Sequence, residues 1–455
     1  MFQAINPATG DTIRSVELLT ESELEHCLAA SAQGARSMRD LAVDERGALL
    51  KKLAAQLAAN RDKLARLATE EMGKPIRQAE AEIDKCEAAC RFYAAAPKSY
   101  VEDEPIETER NTFRRFLPLG TILAIMPWNY PFWQVFRFIA PATLAGNAML
   151  LKHASNVPGC AEAIQDLTDA AGFPKGAFQT LFVSSKQVPT IIDDSRVKGV
   201  TLTGSGAAGS AVGEMAGRAI KPCVLELGAN DAFIVMPSAD LDHAVETAVR
   251  ARTQNNGQSC IAGKRFIVHE AIYEAFKARV VAAFEAMKIG DPMDHETDIG
   301  PIATRQGLQE ILDQIEDACR AGALRVTGAK RLEGKGFYVS PGLVENVPFT
   351  CKFAREEVFG PVANLIRCAD IKQAVAIAND SPFGLGSAVF SQDHDEIEYA
   401  CQQIEAGATF VNAMVASDPR LPFGGVKASG IGRELAVEGM RAFQNIKTIS
   451  LPPQA

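Results

Sequence analysis

The sequence predicts an α/β protein with at least two domains, and three observations carry that expectation. Apolar positions in roughly the first hundred residues keep helical spacing. After them, short apolar runs rich in β-formers alternate with helical stretches. The runs are "GTILAIMP", "NAMLLKHA", "FQTLFVS", "VKGVTLTG" and "CVLELG". Such alternation implies parallel strands joined by crossover helices. A second alternating region begins near Leu241 and runs through "KRFIVHE", "ALRVTG", "SAVFSQ" and "ATFVNA". A chain of 455 residues also exceeds what a single core holds.

Each element has its own local reason. "TESE", Thr20 to Glu23, is a capping box ahead of an apolar run. Leu49, Leu53, Leu57, Leu64 and Leu67 read as one helix, ended by Gly73 and Pro75. Ile76, Ala79, Ile83, Cys86 and Cys90 step by three and four, which marks the apolar face of a helix, so Cys86 and Cys90 are core residues rather than a metal pair. "ETERNTFRRFLPLG" is charged and extended, with the character of a hairpin. "GCAEAIQDLTDAAGF" and "AAGSAVGEMAGRAI" supply crossover helices.

Composition excludes several classes. A formal net charge of −9 disfavours nucleic acid or an anionic membrane as partner. The six histidines form no metal-ligand spacing, so no metal is expected. The start "MFQAINPATG" lacks the pattern of a signal peptide, and no stretch reads as a membrane span. Ten cysteines without framework spacing fit a reducing cytoplasm.

Five stretches could carry chemistry. In "QNNGQSC", Cys260 is either a packed thiol, as most free cysteines are, or a nucleophile. "GSGAAG", Gly204 to Gly209, matches a dinucleotide fingerprint, with Glu226 placed 22 residues on for a ribose. It follows the fourth strand rather than the first, so the surviving reading is a helix N-terminus able to seat phosphate. Asn129 in "MPWNYP" stands at a strand's carboxyl end, as a turn residue or as an oxyanion donor. Lys152 ends an apolar strand, and Glu357 and Phe359 precede a Gly-Pro turn, where each could be a ligand contact or solvated.

Seven pieces, "PWNYP", "LLKHA", "TLTGS", "LELGAND", "GQSC", "EEVFGP" and "PFGGVKASGIGRE", occur in the order seen in aldehyde dehydrogenases. The chain resembles that family over nearly its whole length, and in particular its compact bacterial succinate-semialdehyde branch. The resemblance implies a Rossmann-type dinucleotide-binding domain (1–98 and 119–229), an α/β catalytic domain (230–426) and a small bridging arm (99–118 and 427–455). It implies Cys260 as nucleophile, Asn129 as oxyanion donor and Glu226 as the base that hydrolyses a thioester. It places Trp128, Lys152, Ser155, Gly204, Ser205, Glu357 and Phe359 on the cofactor. Arg137, eight residues past Asn129, would grip a distal carboxylate, with Ser417 as a second contact. Gln254 stands where some members carry a second Arg. Where a Glu would select NAD, this chain has Ser155, with Lys152 and His153 near it, so NADP is expected to be preferred and NAD to be possible.

The function expected is therefore oxidation of an aldehyde, foremost succinate semialdehyde, to its acid, with another aliphatic aldehyde as the alternative. A cysteine hydrolase would want a His partner for Cys260, and neither His243 nor His269 lies in a recognisable motif. A retired binding protein would not need Cys260, Glu226, Asn129 and Lys152 together. The resemblance also implies a homodimer or homotetramer.

Overall fold

The structure is a computed structural model and describes residues 1–452. The alternation foreseen in the sequence builds two sheets. The first has six strands in the order Gly430–Ile431, Cys223–Glu226, Val197–Thr203, Thr121–Met126, Ala148–His153, Phe178–Thr180. All pair in parallel except Gly430–Ile431, which runs antiparallel to Cys223–Glu226. The chain reverses its winding direction between Thr121–Met126 and Val197–Thr203. A crevice therefore opens at their carboxyl ends, where open α/β sheets take ligands. "PWNYP" leaves one of these ends and "GSGAAG" the other, and Lys152 and Glu226 close the two neighbouring strands.

The second sheet has seven strands, with Ala232–Val235 between Arg265–His269 and Gly386–Phe390. Only its edge strand Leu324–Thr327 is antiparallel to its neighbour. Phe233 stacks on Phe390 with ring centroids 4.6 Å apart, within the core under this sheet. A third sheet is the expected hairpin, Glu104–Ile106 with Asn111–Pro118, extended by Gln444–Leu451. Ile106, Ile446 and Leu451 are exposed on it.

Thr20 and Glu23 form the capping box of helix Glu21–Asp40. Ile76, Ala79, Ile83, Cys86 and Cys90 are all buried along helix Ile76–Ala94. The leucine run departs from expectation. It is two helices, Val43–Ala59 and Arg61–Met72, because Asn60 leaves helical geometry at φ −110°, ψ 10° and its side chain bonds back to the Gln56 carbonyl. The expected stop holds: Gly73 caps the second helix at φ +82°.

Two buried glutamates brace the crevice from behind. Glu71 accepts the N–H groups of Gly159 and Cys160, at the start of helix Pro158–Ala170. Glu82 accepts those of Phe132 and Trp133, each at 2.8 Å, and is ion-paired with buried Lys74. A carboxylate at a helix N-terminus satisfies donors that have no intrahelical partner. Glu82 thereby anchors the helix that carries Arg137, Trp133–Ala145, beside the loop that carries Cys260.

Candidate active site

The loop that carries Cys260 follows helix Leu241–Thr253. Asn255, Asn256 and Gly257 take left-handed geometry in succession, with φ of +58°, +57° and +72°. Asparagine tolerates that region best among residues with a Cβ. At Gly257 a Cβ would stand 2.3 Å from the Gly360 carbonyl carbon, so only glycine fits. Both asparagines are fully buried and hold the loop by their amides. Asn255 Nδ2 donates to the carbonyls of Asn129 and Gln258, at 2.8 and 2.9 Å. Asn256 Nδ2 donates to Gly73 and Pro301, each at 2.9 Å. "QNNG" is thus a rigid spring-board for Cys260.

Cys260 is half-buried in the wall of a cavity of about 890 Å³ that Arg137 and Ser417 also line. Burial pushes its thiol up to about 12, while Arg137 and Lys264 pull the other way. The thiol therefore rests protonated. Lys264 Nζ donates to the Ser259 and Cys260 carbonyls and pairs with Glu357 at 2.9 Å.

Asn129 is buried behind the cavity. One N–H of its amide goes to the Gln258 carbonyl at 3.1 Å, and its Oδ1 has no protein partner. The second N–H remains for a ligand oxygen. Glu226 is buried with both carboxyl oxygens unpartnered. Burial and the neighbouring Glu434 raise its pKa well above the usual carboxylate range, against the pull of Arg137 and Arg433. The "PFGG" turn makes room for it, since a Cβ on Gly424 would lie 2.5 Å from Glu226 Oε1.

Arg137 lines the cavity, but its guanidinium is engaged. It pairs with Glu434, donates to Thr203 Oγ1 at 3.2 Å and lies over Phe423 at 4.5 Å. Ser417 Oγ accepts from Trp133 Nε1 at 3.1 Å and from Lys85 Nζ at 2.7 Å. Sequence reasoning missed Lys85. Its only signal is a lysine flanking the apolar face that carries Glu82 and Cys86.

Lys152 is half-buried, and its ammonium donates to the His153 carbonyl at 3.4 Å. Ser205 caps helix Gly206–Arg218, whose first residues are exposed, and no atom lies within 4 Å of where a Gly206 Cβ would be. Ser155 is exposed three residues past Lys152. Trp128 and Phe359 meet edge to face at 5.7 Å. Glu357 lies against Gly228, where a Cβ would stand 2.5 Å from its Oε2. A half-buried cation with no carboxylate partner among the described residues, two strands along the sheet from an open helix N-terminus, suits a phosphorylated nucleotide. His153 departs from the expectation that it helps with a phosphate. It is buried, its Nδ1 accepts the Ala154 N–H, and its Nε2 donates to the Pro131 carbonyl at 2.8 Å. Burial pushes its pKa down to about 4, so it is a neutral strut between strand and "PWNYP" loop.

The aldehyde dehydrogenase family profile matches residues 1–449. The chain belongs to the aldehyde dehydrogenase family. It is an NAD(P)-dependent oxidoreductase acting on an aldehyde, with the mixed α/β fold of that family. Succinate-semialdehyde dehydrogenase [NADP(+)] 1 of Mycobacterium tuberculosis is 48% identical over 449 residues, covering 98% of each chain. A probable succinate-semialdehyde dehydrogenase [NADP(+)] of Synechocystis is 48% identical over 446 residues, again covering 98% of each. The succinic semialdehyde dehydrogenase of Streptococcus pyogenes, solved in complex with NADP+, superposes with a TM-score of 0.97 at 36% identity, covering 99% of this chain and 100% of that one. Cys260, Arg137 and Ser417 share one cavity, and Trp128, Lys152, Ser155, Gly204 and Ser205 lie at the carboxyl edge of the six-stranded sheet. Among the described residues no helix is long and apolar enough to cross a membrane.

Proposed function

We propose that this aldehyde dehydrogenase oxidises succinate semialdehyde to succinate and prefers NADP, with NAD also accepted. The observation that carries the substrate is the cavity in which Cys260 faces Arg137 and Ser417. The names of the relatives support it. The Cys260 thiol proton passes to solvent water as Sγ adds to the aldehyde carbon, and the new oxyanion rests on the remaining Asn129 N–H and the Cys260 backbone N–H. The nicotinamide, when bound, supplies the hydride acceptor. Glu226 then takes a proton from the water that cleaves the thioester on Cys260. Arg137 acts through its field, lowering the cost of charge on both Cys260 and Glu226.

Lys152, Ser155, Gly204 and Ser205 would hold the phosphates and adenosine ribose, Glu357 the nicotinamide ribose, and Trp128 and Phe359 the rest of the cofactor. Ser155 is neutral and exposed, so it does not repel a 2′-phosphate of about two negative charges. Residues 1–98 and 119–229 serve as the nucleotide domain and 230–426 as the catalytic domain. Residues 99–118 and 427–455 form the bridging arm, of which 453–455 lie outside the described residues. The exposed Ile106, Ile446 and Leu451 support a homodimer or homotetramer built through that arm. Ten cysteines, all free, support a cytoplasmic site.

The test is a panel of aldehydes with and without a distal carboxylate, run with both nucleotides. Succinate semialdehyde with NADP should exceed butanal in kcat/KM by at least about tenfold. Equal values would overturn the substrate, and a tenfold preference for NAD would overturn the cofactor.

A further inference from the structure

Lys85 projects from helix Ile76–Ala94 into the cavity that holds Cys260. Its ammonium lies 4.3 Å from the centroid of the Trp133 ring and donates to Ser417 Oγ at 2.7 Å. Trp133 Nε1 donates to the same oxygen. A hydroxyl has two lone pairs and one proton. Both lone pairs of Ser417 are taken, so its proton is left to give to an acceptor.

The carboxylates nearest Lys85 are already engaged. Glu82 is paired with Lys74 and accepts two backbone N–H groups, and Asp418 is bonded to Arg420. Among the described residues Lys85 has no ion-pair partner, although most of it is buried. Arg137, the cation that the sequence offers for a distal carboxylate, already holds a carboxylate in Glu434, with Thr203 and the Phe423 ring beside it, whereas Lys85 holds none.

We propose that Lys85 and Ser417, held by Trp133, are the subsite that receives the distal carboxylate of the substrate. The Lys85 ammonium supplies the charge and Ser417 O–H a second donor. The Trp133 face and indole N–H fix both in place. This rests on the proposed semialdehyde substrate and names the group that reads its far end.

Burial and Arg137 push the Lys85 pKa down to about 8, against Cys86, Glu82 and Asp418. The free enzyme therefore loses this cation as pH rises through that value, and with it the preference for a carboxylate. The experiment compares kcat/KM for succinate semialdehyde with kcat/KM for butanal, in wild type and in Lys85→Met. Taking the ratio cancels the titrations of Cys260 and Glu226, which both substrates share. The ratio should fall at least about tenfold in the variant. In wild type it should decline from about pH 7 to about pH 10, and in the variant it should stay flat across that range. Loss of the same factor with both substrates would mean a structural role and would overturn the subsite, as would a pH-independent wild-type ratio. A wild-type ratio near one at pH 7 would overturn the semialdehyde reading itself.

Discussion

Lys264 donates to the Cys260 carbonyl oxygen at 2.6 Å, and the same ammonium pairs with Glu357 at 2.9 Å. One buried cation thus ties the backbone of Cys260, the proposed nucleophile, to the carboxylate proposed for the cofactor ribose. Lys264→Met leaves Glu357 buried without its counter-ion, which typically costs about 3–5 kcal/mol. Burial already raises the Glu357 pKa, and Lys264 opposes that rise. Without Lys264, Glu357 protonates more readily, so the destabilisation should shrink as pH falls. The double variant with Glu357→Gln should recover more than half of the loss. Urea unfolding of the single and double variants at two pH values checks this, and additive losses would exclude the coupling.

Cys260→Ala should abolish oxidation and leave nucleotide binding, read by fluorescence titration, unchanged. Glu226→Gln should allow one turnover of NADPH production and then stall at the thioester. Rapid mixing should show a burst followed by slow release. Because the Glu226 pKa is raised, the carboxyl is neutral at low pH and becomes a base only as pH rises. Wild-type kcat should therefore climb with pH, at higher pH than an ordinary carboxylate would give, wherever deacylation limits. In Arg137→Ala the climb should move to higher pH, since Arg137 is the first of the groups that lower that pKa.

His153 makes the fold sensitive to acid. Its folded pKa of about 4 lies below the ordinary 6.5, so the unfolded chain binds the extra proton first. Stability from this group is complete above about pH 6.5 and is lost as pH falls toward 4, by about 3 kcal/mol at most. His153→Gln should show a smaller drop in urea midpoint over that range than wild type. Parallel curves would sink the idea.

Ser155→Glu should cut kcat/KM with NADP at least tenfold, about 1.4 kcal/mol, and spare NAD. The carboxylate would face the 2′-phosphate across the turn after strand Ala148–His153. Steady-state kinetics with both nucleotides would show it. An equal response to the two would place Ser155 away from the adenosine ribose.

Local pattern made much of this protein legible. Period and turn residues marked the strands that carry Lys152, Thr203 and Glu226, because a buried parallel strand needs a continuous apolar run whatever its neighbours are. The capping box at Thr20 and the stop at Gly73 are legible for the same reason: each is satisfied within a few residues of chain. The ordered motifs around Asn129, Cys260 and Glu226 name the reaction family. What pattern does not carry is partnership between distant residues. Arg137 and Ser417 look alike in sequence as ligands for a carboxylate, yet Arg137 is paired with Glu434, 297 positions later, and Ser417 accepts a hydrogen bond from Lys85, 332 positions earlier. His153 reads as a phosphate contact until the Pro131 carbonyl claims it. Helical and strand periods follow from the local backbone, whereas the charge state and direction of a buried side chain depend on whatever other element folds against it. That is why the sequence names the chemistry at Cys260, and only the packed crevice decides which cation already has a carboxylate partner.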